Sequence, residues 1–390
     1  MQQGLMSHFF NQTRLAVWAR LAIFVYGVIL FAWFFSVSRV VDRYGQPLAT
    51  DFITFYSASI AARSGQAHSV YDKTYFQNLE QTTAGARVGW YAWHYPPTFF
   101  LLTQPLAFFS YKAALLLWLL ITIVPILLIL QRIYPGRNTL AFFLSFPATF
   151  QVFLHGQNGF LTAALLSGGC MLLNGQPFFG GLILGLLSYK PHLCILVLPA
   201  LAAGKHWKAL QGFFFSLFSF TTATFLVYGS EPWKAFLNNI PMATAILEAG
   251  AVPFAKMPTP YAAIRLLGVQ PASASLLQGV STLLCLLFVV LLWRSRAGSG
   301  IKAAGLIAAT LLASPFGFDY DLIILFPAMA FLFSEFPGNQ PFASRLAVLG
   351  AAIWAIPLAG PIIASLTGLN IMPLVILALC VACGKWAAAH

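Results

Sequence analysis

Apolar residues recur along this chain in runs near 15–37, 97–109, 112–131, 138–154, 158–173, 177–188, 191–203, 208–229, 271–293, 301–313, 320–334, 344–363 and 370–385. Runs approaching 20 residues match the hydrocarbon thickness of a bilayer, and only helices or closed barrels satisfy their backbone there. The pattern predicts an all-α polytopic membrane protein. Which runs cross is decided by the basic residues between them. If 97–109 crosses, Arg132, Arg137, Lys205, Lys208, Arg294, Arg296 and Lys302 fall outside. If it does not, all of them fall inside with Arg14, Arg20, Arg345 and Lys385. Cytoplasmic loops carry the excess of Lys and Arg. This favours a bundle of about twelve transmembrane helices with both termini cytoplasmic, and 97–109 as a re-entrant or interfacial helix. Arg14 and Arg20 at the head of the first run raise the question of a cleaved leader; the length of that run points to a retained span.

This topology gathers the polar islands on the extracytoplasmic side. They are a first external loop at 39–111, His155-Gly156-Gln157-Asn158, Ser188-Tyr189-Lys190-Pro191-His192, a second external loop at 230–270, and Phe316-Gly317-Phe318-Asp319-Tyr320-Asp321. Within the first loop, Phe52, Phe55, Tyr56, Ser59 and Ile60 fall at helical spacing and predict a helix along the membrane interface. Ala67 to Asp72 reads as a turn into a second helix through Leu79. No linker or change of composition divides the chain, so residues 1–390 read as a single transmembrane domain.

Composition supports the same class. Hydrophobic residues make up 59% of the 390 and charged residues 8%, far below the roughly one quarter typical of soluble domains. The net charge of +12 comes from basic residues scattered between spans. That distribution reflects orientation in the membrane and excludes a nucleic-acid patch. The five cysteines all lie in apolar runs and form no disulfide framework.

The signatures of common soluble enzymes are absent: there is no Walker loop, GxGxxG, HExxH or GxSxG. With nine acids in all, no acidic metal cluster forms; no cofactor is expected, and a divalent metal is possible but not required. Asp319 and Asp321, at i and i+2, would point to different faces of a helix. Asp51 reads either as a cap for the helix after it or as a general base for an attacking hydroxyl. Lys190 either snorkels to the interface or, with His192, binds a lipid phosphate. His155 and Gln157 exceed what a tight turn needs, and Gly156 and Asn158 suffice for one. Trp90, Trp93, His94 and Tyr95 form an aromatic belt that serves for anchoring or for sugar stacking.

Together these islands resemble glycosyltransferase family 87, polytopic GT-C enzymes. The resemblance rests on Asp51-Phe52 with Tyr56 shortly after, Ala61 through Tyr71-Asp72, and Tyr95-Pro96-Pro97. It continues through Gly156-Gln157-Asn158, Gly185 with Lys190-Pro191, Arg265-Leu266-Leu267, and Ser314-Pro315 through Tyr320-Asp321, covering about residues 50–330. It implies a GT-C-like bundle in a bacterial inner membrane. The implied reaction moves a hexose, typically mannose, from a polyprenyl-phosphate sugar to a lipid, glycan or protein acceptor with inversion. Asp51 would be the base and Lys190 the phosphate ligand. His192, His155, Gln157, Asn158, Arg265, Asp319, Tyr320, Tyr56, Trp93, His94 and Tyr95 would line the substrate site. One departure stands out: many members carry Trp-x-His-Tyr after Ser-Pro, where this chain has Phe316-Gly317-Phe318-Asp319-Tyr320. The competing readings are a transporter or flippase for a lipid-linked sugar and a non-catalytic envelope-assembly subunit. No internal repeat supports transport.

Overall fold

The computed structural model describes residues 12–37, 40–336 and 340–388, without the side chains of residues 12, 13 and 340–345. Ser38 and Arg39, at the head of the expected first external loop, and the Arg345 side chain lie outside the described residues. The described residues are helical, with no strand among them. Arg14–Ser36, Tyr111–Ile133, Trp207–Tyr228, Pro271–Arg294 and Leu346–Thr367 are long and apolar enough to cross a membrane. Shorter apolar helices accompany them at Gly159–Leu172, Pro177–Tyr189, Pro191–Ala203, Ser299–Ala313 and Met372–Ala388. The protein is an integral membrane protein, yet its spans are less uniform than twelve full crossings. Proline and tight turns account for this. The 138–154 run breaks into Thr139–Ser145 and Pro147–His155, the second helix opening on its proline. The 97–109 run folds as Pro97–Phe99, Phe100–Thr103 and Gln104–Phe108, none long enough to cross a bilayer.

The chain forms two compact units, each assembled from separated stretches. One comprises Met1–Ala32, Pro125–Val152 and Ala255–His390. At its centre helix Ser299–Ala313 is buried along nearly its whole length among Pro271–Arg294, Leu325–Glu335 and Met372–Ala388. The Gly300 N–H at the start of that helix donates to Glu335 Oε1, so a carboxylate meets the positive end of the helix dipole.

The other unit comprises Trp33–Val124 and Phe153–Phe254. Helices Pro177–Gly185 and Trp207–Tyr228 meet backbone to backbone: a Cβ on Gly181 would stand 1.8 Å from Ala209 O. Small residues permit such close approach where apolar burial alone does not drive helices together. Helix Phe52–Arg63 forms where the spacing predicts it, but it is buried on nearly all sides rather than along one stripe. The turns and short helices of 67–108 wrap it, which the periodicity of one segment cannot reveal. The second helix, Lys73–Ala84, runs past Leu79 and is capped by Asp72, whose side chain accepts from the Tyr75 N–H.

Candidate functional site

The second unit brings two polar breaks together. The first is the entry to helix Phe52–Arg63, where Ala49 holds a left-handed φ of 55°. That conformation costs an L-residue roughly 1–2 kcal/mol and persists only where surrounding packing enforces it. The second is the turn between helices Pro147–His155 and Gly159–Leu172. Gly156 there has φ +62°, and a Cβ on it would lie 2.7 Å from Phe52 Cβ and 2.9 Å from Ala49 Cβ. Trp118 Nε1 donates to the Gly156 carbonyl at 3.2 Å and so satisfies a buried acceptor of the turn.

Asp51 occupies the N-cap position of its helix, but its side chain makes no capping bond. Its Oδ2 accepts from Gln157 Nε2 at 2.8 Å, and its Oδ1 accepts from the Thr50 hydroxyl at 3.3 Å. The Asp51 N–H donates to the His155 carbonyl at 3.1 Å. Gln157 Oε1 accepts from the Asn158 N–H at 3.2 Å, which fixes the amide with its NH2 toward Asp51. Asn158, at the next N-cap position, also makes no capping bond. Its Nδ2 donates to Tyr95 Oη at 2.9 Å, while its Oδ1 is buried without a partner among the described residues. Thr162 Oγ1 continues the network from the Asn158 carbonyl to Tyr189 Oη, 2.6 Å away, beside Lys190.

Among the expected site residues, Asp51, His155, Gln157, Asn158 and Tyr95 are thus joined by hydrogen bonds. Lys190 belongs to the same unit and is 4% exposed, at the joint between helical turns Leu186–Tyr189 and Pro191–Cys194. His192 is half-buried and His94 exposed. Trp93 requires correction as a sugar platform. It is 1% exposed and stacks at 4.9 Å on Phe100, so no ring face is left for a ligand. Tyr56 is spoken for structurally: its hydroxyl donates to the Phe109 carbonyl at 2.8 Å. Arg265, Asp319 and Tyr320 lie in the first unit. There Arg265 donates to Tyr261 Oη at 3.3 Å and Tyr320 stacks on Phe318. Asp319 accepts from Gln151 Nε2 at 3.3 Å, whereas Asp321 accepts from the Phe318 N–H, so the two carboxylates do turn apart. No cluster of three metal-ligating side chains occurs among the described residues.

Thr50, Thr162, Tyr189 and Glu80 do not stand out as site residues in the sequence. Glu80 nevertheless carries a readable signal, because it shares the apolar stripe of helix Lys73–Ala84 with Phe76 and Ala84 at spacings of four. It is 0% exposed, accepting from the Tyr91 N–H at 3.1 Å and the Thr54 hydroxyl at 3.4 Å. Burial pushes its carboxyl up to about 8, against the two hydrogen bonds that favour the charged form. A carboxyl raised in the folded state binds its proton more tightly there than when unfolded. Stability is therefore fully present below the ordinary value near 4.5 and is lost as pH rises through about 8. Thermal unfolding of the purified protein between pH 5 and pH 9 should show Tm falling across that window, and Glu80→Gln should flatten the slope. A Glu80→Gln variant with the wild-type slope would assign the effect to another group.

No curated protein and no solved structure matches the chain. The model of Glycosyltransferase family 87 matches residues 93–315, inside the stretch that carries the resemblance. The match takes in His155, Gln157, Asn158, Lys190, His192 and Arg265, and leaves Asp51 and Asp319 outside. Extending over more than half of a chain rich in membrane-length apolar helices, it shows that this membrane protein belongs to glycosyltransferase family 87.

Proposed function

We propose that the protein transfers a hexose, with mannose the first candidate, from a polyprenyl-phosphate donor to an acceptor hydroxyl on a lipid, glycan or protein. Asp51 is the general base. The observation that carries this reading is the Asp51 carboxylate, placed at a helix N-cap yet turned away from capping and held by Gln157 at 2.8 Å. The hydroxyl attacks the anomeric carbon and Asp51 takes its proton as the bond to the phosphate oxygen breaks, with inversion. The phosphate leaves without an acid catalyst, so one carboxylate suffices, unlike the carboxylate pair of glycosidases. Lys190, buried at a helix break, supports charge neutralisation of the donor phosphate.

The site acts on the extracytoplasmic face of a bacterial inner membrane, with both termini cytoplasmic and the whole chain working as one membrane domain. The charge distribution supports this orientation. No metal takes part in the proposed chemistry.

The test is incubation of the purified protein with polyprenyl-phosphate mannose, glucose, galactose and arabinose, following release of polyprenyl phosphate in the presence of membrane glycolipid acceptors. Turnover of one hexose donor supports the reading. Turnover of nucleotide sugars instead, with every polyprenyl donor inert, would overturn it.

A further inference from the structure

We propose that Thr50 and His155 carry away the proton that Asp51 collects. The inference rests on Asp51 being the base and adds a path that clears it for the next turnover. Asp51 Oδ1 lies 3.3 Å from Thr50 Oγ1, which lies 2.6 Å from His155 Nδ1. Asp51, Thr50 and His155 are each partly exposed, while Gln157, on the other carboxylate oxygen, is buried. Gln157 offers that oxygen an amide N–H, which can hold a carboxylate but cannot accept its proton. The Thr50 hydroxyl can both accept and donate, and the imidazole beyond it is the side chain whose ordinary pKa suits uptake and release near neutral pH.

The Thr50–His155 bond is not needed to hold the two breaks in register. The backbone bond from Asp51 to His155, the Gln157 amide and the close contacts of Gly156 with Phe52 and Ala49 already do so. With donor and acceptor seated over Asp51, its open side is covered. A route through Thr50 then lets the proton leave before the products do.

The step balances without any redox partner. Protonated Asp51 gives its Oδ1 proton to Thr50 Oγ1, and the original Thr50 proton passes to the lone pair on His155 Nδ1. The carboxylate is restored and an imidazolium forms, which releases its Nε2 proton to water. Exchange of the ring protons with water then returns the Nε2–H tautomer, whose Nδ1 lone pair serves the next turnover. Tyr91 and Tyr111 are titratable groups in electrostatic contact with Asp51, and both also feel Glu80. Neither Glu80 nor these phenols bridges Asp51 to His155. Thr50 and His155 act through Asp51 and are positioning residues rather than catalytic ones.

The experiment compares full-length wild type, Thr50→Val, Thr50→Ser, His155→Gln and His155→Ala, using the polyprenyl-phosphate hexose turned over in the panel above. Thr50→Val and His155→Gln should lower kcat by roughly 10²-fold with little change in KM. His155→Gln should change the pH profile of kcat, because glutamine cannot take up the proton that the imidazole accepts. Added imidazole should restore kcat in His155→Ala in proportion to its concentration, and Thr50→Ser should restore what Thr50→Val lost. If His155→Ala does not fold, the Thr50→Val and Thr50→Ser pair decides alone. Folded variants that keep the wild-type pH profile, or a loss that neither imidazole nor serine repairs, would overturn the relay. Asp51→Asn separates the two ideas. If it is inactive while the relay variants behave as wild type, only the relay fails; if it stays active, the base assignment itself fails.

Discussion

Asp51→Asn should reduce turnover by roughly 10²- to 10⁴-fold, the range for removing a positioned general base. The substitution is nearly isosteric. The side-chain carbonyl it leaves can still accept from Gln157 Nε2, so the 2.8 Å contact and the register of the two breaks have reason to survive. The helix should survive too, because the wild-type side chain makes no capping bond that the variant could lose. What disappears is the ability to take a proton. Donor binding, measured by protection of the protein against thermal unfolding, should therefore persist while release of polyprenyl phosphate stops. Activity within a few-fold of wild type would remove Asp51 from the chemistry. Loss of both activity and thermal stability would assign it a structural role instead.

Gly156→Ala should be strongly damaging at the contact between the two breaks. Its backbone is left-handed, at φ +62°, which alone costs an L-residue about 1–2 kcal/mol. The added Cβ would stand 2.7 Å from Phe52 Cβ, 2.9 Å from Ala49 Cβ and 3.2 Å from Leu115 Cδ1. The two nearest atoms are themselves Cβ atoms, fixed to the backbone, and no rotamer change moves them away. The breaks must separate, which adds an overpacking cost of about 1–3 kcal/mol. Separation also pulls Gln157 and His155 away from Asp51 and Thr50, so activity should fall along with Tm. Gly175→Ala is the control, since its Cβ would meet nothing within 4 Å. A Gly156→Ala protein with wild-type Tm and turnover would show that the two breaks tolerate separation.

Much of the candidate site is legible in the amino-acid order. His155 and Gln157 stand out because polar residues interrupt apolar runs where a simple turn does not require them, and Asp51 because it is an acid directly before a predicted helix. The choice between cap and base for Asp51 cannot be made from spacing. An acid directly before a helix looks the same whether its carboxylate bonds the first turn or, as here, an amide 106 residues away. Trp93 misleads for a related reason. A Trp in a belt of aromatics reads as a presented ring, and only its stacking on Phe100 shows that it belongs to the core. Glu80 is legible in principle, as an acid on an apolar stripe, but its partners lie on two other segments.

The class of this protein is written in its amino-acid order alone. Apolar runs longer than a soluble core needs permit only helices in a bilayer, and the order of the polar islands points to the family. That information is local, because each run carries its own hydropathy and each break its own glycine or proline. Which breaks meet is a property of the folded chain. Ala49, Thr50 and Asp51 lie against His155, Gly156 and Gln157 because Gly156 has no Cβ and both turns adopt left-handed backbone at the contact. Such a fit depends on the mutual approach of segments about a hundred residues apart, and neither segment encodes it alone.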